Sequence, residues 1–244
     1  NNINMKIKSK VGDGIKAKNS SWSFKGNVVK SFDNHIARSV PYFKDGHKLV
    51  SQISDFFIKN DSNCYEIGCS TGTLTNMLAK KHINKTKANF VGLDIESDMI
   101  RYANKSKDKL KNTKFYCTNA NTFKFKKSDL IISYYTMQFI RPSERQKLFN
   151  KIFSTLNWGG AFILFEKVRA RDARFQDLSV ALYNEFKLSN RYSPSQIFNK
   201  TRSLKGVLEP FSTKGNCELL DRAGFKDYTN IFKYICFSGF LAIK

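Results

Sequence analysis

A glycine-containing turn between an apolar run and a helical pattern is the feature that most limits how this chain can fold. The turn is Glu66-Ile67-Gly68-Cys69-Ser70-Thr71-Gly72, and Asp94 closes a second strand-like run further along. In such a strand–turn–helix–strand unit, the first glycine allows a tight turn and the next lets the helix pack on the sheet. A carboxylate after the second strand can accept hydrogen bonds from ribose hydroxyls. The pattern predicts a nucleotide-type cofactor site.

The residues inside the turn distinguish between nucleotide cofactors. A dinucleotide site would need glycine at Ser70, so that a pyrophosphate could reach the helix N-terminus, and the Glu66 carboxylate would repel that phosphate. A sulfonium cofactor has positive charge and no phosphate, so it tolerates both residues. We therefore expect S-adenosylmethionine as cofactor and S-adenosylhomocysteine as product. The predicted contacts from this unit are Glu66, Gly68, Cys69, Ser70, Gly72 and Asp94.

Apolar runs typical of strands alternate with amphipathic helical patterns, which predicts an α/β fold with a mostly parallel sheet and helices on both faces. Helices are expected at 44–59 and 98–110, the second capped by Ser97, and a capping box of Ser143 and Gln146 predicts another. The end, 228–244, predicts two antiparallel strands at the sheet edge. Residues 1–43 are lysine-rich with little periodicity, and we expect an N-terminal arm that covers the site. Residues 44–244 form the predicted cofactor-binding domain, with a helical lid or dimer arm at 172–206.

The composition is strongly basic, with 42 Lys and Arg against 20 Asp and Glu and a net charge of +22. A solvated lysine-rich surface is the favoured explanation, and nucleic-acid binding is a less favoured one because the basic clusters carry no recognition motif. No apolar run approaches the roughly 18 residues that span a bilayer, and the first residues lack a signal-peptide pattern. We expect a cytoplasmic protein without membrane contact. Five scattered cysteines predict buried thiols and no metal site.

Several segments are similar to those of carboxy-S-adenosylmethionine synthases. They are Tyr135-Thr136-Met137-Gln138-Phe139-Ile140-Arg141-Pro142-Ser143-Glu144-Arg145-Gln146, Glu166-Lys167, Arg38-Ser39-Val40-Pro41, Gly68-Cys69-Ser70 and Arg222-Ala223-Gly224-Phe225. The resemblance covers the chain from about residue 30 to its end. It implies a Rossmann-like class I methyltransferase fold with seven strands, the last antiparallel, usually in a homodimer. It also implies conversion of S-adenosylmethionine and prephenate to carboxy-S-adenosylmethionine and phenylpyruvate, for modification of a tRNA wobble uridine.

The resemblance also implies ligand positions, and this chain departs from the family at several of them. Tyr134 stands where the family has asparagine at the end of the fourth strand, and Ile95 stands where asparagine follows the ribose-binding acid. Phe43 replaces a tyrosine, although Tyr42 is adjacent. The family places an acid at the adenine where this chain has Asn119, followed by Ala120. An amide keeps the acceptor oxygen, so this last change is mild.

The arginine that grips the extra carboxylate of the family's product aligns with Thr201, and Arg202 is one residue away. Loss of such a charged fork costs on the order of 2–5 kcal/mol when a carboxylate is left unpaired. A shift of one residue along a helix rotates the side chain by about 100°. These changes favour a methyltransferase that acts on a small molecule, with an anion as the candidate substrate. Carboxy-S-adenosylmethionine synthesis with compensating residues is the alternative, and a non-catalytic nucleic-acid-binding relative is the third hypothesis.

Methyl transfer requires mainly that the acceptor be held in line with the methyl group. The Tyr134 hydroxyl could orient the acceptor, or its ring could face the sulfonium; the alternative is an ordinary core aromatic. Arg38 and Lys167 are candidates to grip an anion, and Arg202 is the candidate to replace the lost arginine; ion pairs at the surface are the alternative for such residues. His35 is a candidate general base, with a structural role as the alternative. Arg38, Tyr42 and Phe43 would cover the pocket.

Overall fold

The computed structural model of the protein describes residues 9–12, 15–24, 26 and 28–244. The predicted arm therefore lies partly outside the described residues. A hairpin consists of β1 (Ser9–Gly12) and β2 (Ile15–Ala17). A seven-stranded sheet contains β3 (Asn63–Ile67), β4 (Asn89–Asp94), β5 (Thr113–Cys117), β6 (Ser128–Tyr134), β7 (Leu156–Lys167), β8 (Asp227–Tyr234) and β9 (Phe237–Ile243). The helices are α1 (Val28–Ser39), α2 (Phe43–Ile53), α3 (Thr73–Lys81), α4 (Ser97–Asn104), α5 (Pro142–Thr155), α6 (Ala173–Ser189), α7 (Pro194–Ser203) and α8 (Thr213–Ala223).

The large sheet has the order β5-β4-β3-β6-β7-β9-β8. The pairs from β5 to β7 are parallel, whereas β9 runs antiparallel to both β7 and β8. The predicted fold class is therefore confirmed, including the antiparallel strands at the C-terminal end. Strands β4 and β5 are added on one side of β3, and β6 and β7 are added on its other side, so the order of addition switches between β3 and β6. Ligands of open α/β sheets bind at such a switch point.

Alternate residues of the central strands enter two apolar clusters on opposite faces of the sheet. Ile132 packs with Val50 of α2 and Leu74 of α3. Ile131 packs on the other face with Phe149 of α5 and Leu220 of α8. A strand buried on both faces needs apolar side chains in both directions, which explains the continuous apolar run of β6. Within the described ranges, none of the helices is long and apolar enough to cross a bilayer.

The N-terminal residues are more regular than their sequence suggests. Residues 28–39 form α1, and the hairpin packs against α7. Val11, Trp22 and Phe32 join Met99 of α4 in a separate apolar cluster. This part of the chain buries side chains against elements distant in sequence, and its own periodicity therefore carries little signal. The division of the chain at residue 43 stays a prediction.

Two predicted helix caps are wrong. Glu96, with extended backbone, precedes α4, so Ser97 lies inside the helix, which ends at Asn104 rather than near 110. Helix α5 begins at Pro142, whose fixed φ suits the first turn, so Ser143 also lies inside. Gln146 instead bonds to the carbonyl of Leu219 on α8.

The cysteines only partly follow the expectation of buried thiols. Cys64, Cys69 and Cys236 are buried, Cys217 is half-buried, and Cys117 is exposed at the end of the edge strand β5. In the part of the chain that the structure describes, no group of three or more His, Cys, Asp or Glu side chains is placed to hold a metal ion.

Candidate cofactor and substrate site

A cavity of about 880 Å³ lies at the carboxyl ends of β3, β4, β6 and β7. Helices α1, α6 and α7 contribute to its walls, so the segments predicted as arm and lid both face it. The residues of the glycine-containing turn lie on the β3 side. Lysines from β7, α6 and α7 lie on the other side.

The glycine turn has the conformation that its sequence predicts. Gly68 and Gly72 have φ values of 76° and 77°, in the left-handed region that favours glycine. A Cβ atom on Gly68 would lie 2.1 Å from the hydroxyl oxygen of Thr136, so this position also lacks room for a side chain. Ser70 has a φ of 48°, which is uncommon for a residue with a side chain. The turn is therefore held by contacts with the segment after β6. Gly68, Cys69 and Ser70 line the cavity, and Gly72 lies behind them.

The Asp94 carboxylate is fixed by two backbone groups. The Ser70 N–H donates to Oδ2 and the Glu96 N–H donates to Oδ1, both at 2.9 Å. Burial raises the pKa of Asp94, while these two hydrogen bonds oppose the rise. Each carboxylate oxygen can accept a further bond, so the group is oriented to receive two hydroxyls of a ribose. This geometry fits the sugar of an adenosyl cofactor.

Acidic side chains surround the turn. Glu66 is buried and accepts a hydrogen bond from the Thr75 hydroxyl, and burial raises its pKa to about 8. Asp33 on α1 accepts hydrogen bonds from the hydroxyls of Thr71 and Thr73, at 2.8 and 2.9 Å. Asp33, Glu66 and Asp94 all line the cavity. Asp33 and Asp94 suit the positive charge of an adenosyl sulfonium and would repel a pyrophosphate, whereas Glu66 keeps its proton near pH 7 and is a neutral polar group there.

The other predicted cofactor contacts lie around the same side. Asn119 and Ala120 follow β5 and line the cavity, and the Asn119 side-chain oxygen accepts from the N–H of Asn121 at 2.9 Å. Ile95 also lines the cavity but is 68% exposed, which places it at the rim. Their contacts with a bound adenosyl group stay predictions.

Tyr134 supports the cavity from the end of β6. Its hydroxyl donates to the carbonyl of Phe43 at 2.7 Å, and its ring packs against Phe43 and His47. Burial raises the pKa of Tyr134 well above its usual range, so the hydroxyl stays protonated. Phe43 lines the cavity, whereas Tyr42 lies outside the lining and packs on Tyr234. The predicted cover therefore includes Phe43 but not Tyr42.

Two of the predicted catalytic residues are engaged in contacts between helices. His35 is buried on α1 and lines the cavity; the Lys200 ammonium lies 2.7 Å from its Nε2 and the Tyr192 hydroxyl 3.2 Å from its Nδ1. Arg38 donates through Nε and Nη2 to the carbonyl of Asn190, and it lies outside the lining. Both residues thus tie α1 to the segment that follows α6.

The position of the missing arginine is part of the cavity. Thr201 lines it, and the Thr201 hydroxyl donates to the carbonyl of Ile197 in the same helix. Arg202 is exposed, lies outside the lining and stacks near Phe198. The structure therefore does not bring Arg202 together with the other site residues, because consecutive residues of a helix point about 100° apart.

Lysines are the main residues that the sequence analysis missed. Lys187 of α6 and Lys200 of α7 line the cavity together with Lys167, the last residue of β7. Lys187 follows Tyr183 by four residues, a spacing that places both on one helix face. That spacing indicates that Lys187 shares the surroundings of Tyr183, but a lysine in a helix is ordinarily exposed.

Known proteins match the chain in sequence and in fold. A family model described as a methyltransferase domain matches residues 65–160. A SAM-dependent methyltransferase from Methanosarcina mazei is 18% identical, with a TM-score of 0.57 over 79% of this chain and 96% of that chain. Human N-acetylserotonin methyltransferase, solved in complex with SAM, is 13% identical, with a TM-score of 0.54 over 91% of this chain and 60% of that chain. These solved structures show the fold.

Relatives in bacteria match over nearly the whole chain. A carboxy-S-adenosyl-L-methionine synthase from Staphylococcus epidermidis is 36% identical over 91% of this chain and 97% of the relative. The protein of the same name from Campylobacter lari is 34% identical over 91% of this chain and 94% of the relative. The chain is thus a SAM-dependent transferase with a small-molecule substrate, and it belongs to the carboxy-S-adenosyl-L-methionine synthase family.

Proposed function

We propose that this protein converts S-adenosylmethionine to carboxy-S-adenosylmethionine, with prephenate as the carboxyl donor. The observation that carries the proposal is the division of charge within one cavity. Asp94 lies at the end of β4 and Asp33 on α1, and lysines lie at the end of β7 and on α6 and α7. A cationic adenosyl compound and an anionic carboxyl donor would each find opposite charge there.

The lysines could also replace the missing arginine in binding a carboxylate. Thr201 offers no cation, but Lys167, Lys187 and Lys200 line the same cavity. A lysine binds a carboxylate as a point charge and without the planar fork of arginine, so the geometry of the grip would differ from that in the family. The similarity to the bacterial synthases over 91% of the chain supports the same reaction.

The net reaction balances without a separate base. Prephenate loses its ring carboxylate as CO₂ and its hydroxyl as hydroxide, and it becomes phenylpyruvate. The methyl carbon beside the sulfonium loses a proton to that hydroxide, which gives water, and forms a new bond to the CO₂ carbon. His35 is then not required as general base, which agrees with its contacts to Lys200 and Tyr192.

The residues of this chain would bind and position the two reactants. Asp94 would hold the ribose, and the turn at Gly68 would allow the adenosyl group to approach the backbone closely. Phe43, Tyr134 and Tyr135 would form an apolar wall beside the reacting groups, since all three line the cavity. Such a wall limits access of water to the reacting carbon.

The proposal is tested by incubating the pure protein with S-adenosylmethionine and prephenate. Mass spectrometry should detect the carboxylated cofactor, and phenylpyruvate should form in equal amount. Omission of prephenate is the control for background chemistry. If prephenate is left unchanged by saturating enzyme while the cofactor is intact, the proposal is wrong.

Plain methyl transfer is a second candidate function. It is favoured by Thr201, because threonine at this position supplies no cation for the extra carboxylate of the product. The Thr201 hydroxyl is instead hydrogen-bonded within its own helix. In that case a small anionic acceptor would occupy the side of the cavity that carries the lysines. Appearance of S-adenosylhomocysteine with a methylated acid from a panel of small acids, and no carboxylated cofactor, would support this candidate.

A homodimer is proposed as the assembly. Helix α6 exposes large apolar side chains, and α7 adds another, each at least half exposed: Phe175 52%, Leu178 56%, Leu182 50% and Phe198 59%. Several large apolar side chains exposed on neighbouring helices commonly mark a protein–protein interface. The two helices also form part of the cavity wall, so a partner subunit would stabilise the wall from outside.

A further inference from the structure

Two lysines from different elements contact the same tyrosine ring inside the cavity. The Nζ atoms of Lys167 and Lys187 lie 4.4 and 4.2 Å from the ring centroid of Tyr183. The Tyr183 hydroxyl donates to the carbonyl of Ser39 at 2.8 Å, and its ring packs edge-on against Phe237. The ring is therefore fixed at both ends, both ammonium groups contact it, and the charge of Lys167 acts on Lys187.

The burial of Lys187 is opposite to the usual pattern of a surface helix. Of the residues of α6, all of which the structure describes, Lys187 alone is buried, while apolar residues of the same helix such as Leu178 are exposed. Burial and, to a smaller extent, the charge of Lys167 lower the pKa of Lys187 to about 8. Burial also lowers the pKa of Lys167. A buried ammonium group is costly unless an anion neutralises it.

The described residues supply no such anion. Among them, neither lysine forms an ion pair with Asp or Glu. The charges of Arg169 and Lys205 further oppose protonation of Lys167. The Cys236 thiol lies close enough to interact with both lysines, but burial raises its pKa, so it is neutral near pH 7. Burial likewise keeps the Tyr183 hydroxyl neutral. The partner of the two ammonium groups is therefore expected to come from outside the chain.

The geometry points to an oxyanion subsite in which Lys167 and Lys187 together bind a carboxylate of a small cyclic or aromatic acid. The apolar side chains beside them, Tyr135, Val180 and Phe237, line the cavity and would contact the hydrocarbon part of that acid. The assignment of this acid as the carboxyl donor rests on the proposed function. The subsite itself rests on the lysine pair and the surrounding walls.

The test uses phenylpyruvate as the charged probe and phenylacetone, which replaces the carboxylate with a methyl group, as its neutral counterpart. Both are titrated by calorimetry into wild-type protein saturated with S-adenosylhomocysteine. The same titrations are made with Lys167→Gln, Lys187→Gln and the control Lys107→Gln, which removes an exposed lysine outside the cavity. Each variant is first checked for S-adenosylhomocysteine affinity and melting temperature.

Wild type should bind phenylpyruvate at least tenfold more tightly than phenylacetone. Each cavity variant should lose about tenfold or more of the phenylpyruvate affinity, as expected for a charge-assisted contact, and should bind phenylacetone and S-adenosylhomocysteine as wild type does. Lys107→Gln should change nothing. Equal affinity of wild type for both probes overturns the subsite, even if a lysine variant fails to fold. So does unchanged phenylpyruvate affinity in well-folded variants.

The outcomes separate the subsite from the proposed function. If wild type binds phenylpyruvate through both lysines but forms no carboxylated cofactor from prephenate, the subsite stands and the proposed reaction fails. If the carboxylated cofactor forms and the lysine variants bind phenylpyruvate normally, the reaction stands and the subsite is wrong.

Discussion

Single charged side chains determine what each side of the cavity can bind. The Asp94 carboxylate has both oxygens oriented by backbone N–H groups. Lys167 lies at the end of β7, and Lys187 contacts the same tyrosine ring as Lys167. Because protein interiors screen charge weakly, each of these groups acts strongly on a ligand placed next to it.

Replacement of Asp94 by asparagine should weaken S-adenosylhomocysteine binding about tenfold or more. The amide has one acceptor oxygen in place of two, and hydrogen bonds to a charged group are worth about 1.5–3 kcal/mol. Isothermal titration calorimetry measures the change. Asp61→Asn, at an exposed carboxylate outside the cavity, is the control and should bind as wild type does. An unchanged affinity in Asp94→Asn would contradict the assignment of the ribose site.

Replacement of Glu166 by glutamine should change the pH dependence of stability. Burial raises the pKa of Glu166 to about 8, so the folded state keeps its proton at pH values where the unfolded state loses it. The stability from Glu166 is therefore present below its unfolded pKa and is lost as the pH rises toward 8. Relative to wild type, the free energy of unfolding of the variant should rise by on the order of 1–3 kcal/mol from pH 5 to pH 8.

Urea unfolding at several pH values measures this difference. Asp227→Asn, at an exposed carboxylate, is the control and should follow the wild-type curve. Parallel curves for wild type and Glu166→Gln would show that Glu166 is already ionised in the folded protein.

At the scale of elements, left-handed backbone occurs at two strand ends that line the cavity and at the start of α2. The φ value is 48° for Ser70 after β3, 58° for Tyr135 after β6 and 54° for Tyr42 before α2. Left-handed backbone costs about 1–2 kcal/mol for a residue with a side chain. Such strain persists only where the surrounding packing imposes it, and it is often found at functional sites.

Two glycines with nearly equal φ values allow the cost of backbone strain to be measured apart from the cost of a steric clash. Gly68 has a φ of 76° and no room for a Cβ, whereas Gly159 has a φ of 74° and nothing within 4 Å of a Cβ. Gly159→Ala should cost only the strain, about 1 kcal/mol of unfolding free energy. Gly68→Ala should cost roughly 2 kcal/mol more, because Thr136 must move, and should abolish S-adenosylhomocysteine binding. Equal effects in the two variants would contradict this role of Gly68.

At the scale of the whole molecule, the exposed apolar side chains of α6 and α7 predict self-association. Leu178→Glu should convert the protein to a monomer, because a charge at the centre of an apolar interface would be buried without a partner. Sedimentation equilibrium measures the mass. Lys226→Glu, which makes an exposed charge change away from these helices, is the control. A wild-type protein that sediments as a monomer at micromolar concentration would contradict the proposed dimer.

The sheet order also brings opposite charges to one edge. Strand β4 carries Asp94, and β7, which follows β3 and β6 in the sheet order, carries Lys167. All of these strands are parallel, so their carboxyl ends meet at the same edge. A cationic and an anionic reactant can therefore bind side by side in one cavity.

The sequence by itself determined the fold class and the cofactor turn. Apolar periodicity and the spacing of Gly68, Gly72 and Asp94 are local, and a strand, a tight turn and the following helix form within one short segment. The antiparallel pairing of β8 with β9 was predictable for the same reason. Caps at Ser97 and Ser143 were not, since nearby residues compete for the same position and small backbone differences decide which one precedes the helix.

Only the tertiary structure decided which charged residues belong to the cavity. Lys187 lies on a helix whose apolar side chains point outward, so nothing in its own segment distinguishes it from an exposed lysine. Asp33 reaches Thr71 and Thr73 from α1, and Arg202 leaves the cavity while its neighbour Thr201 faces it. Burial and charge pairing arise from contacts between distant segments, and helix rotation sets which of two neighbouring residues enters the site.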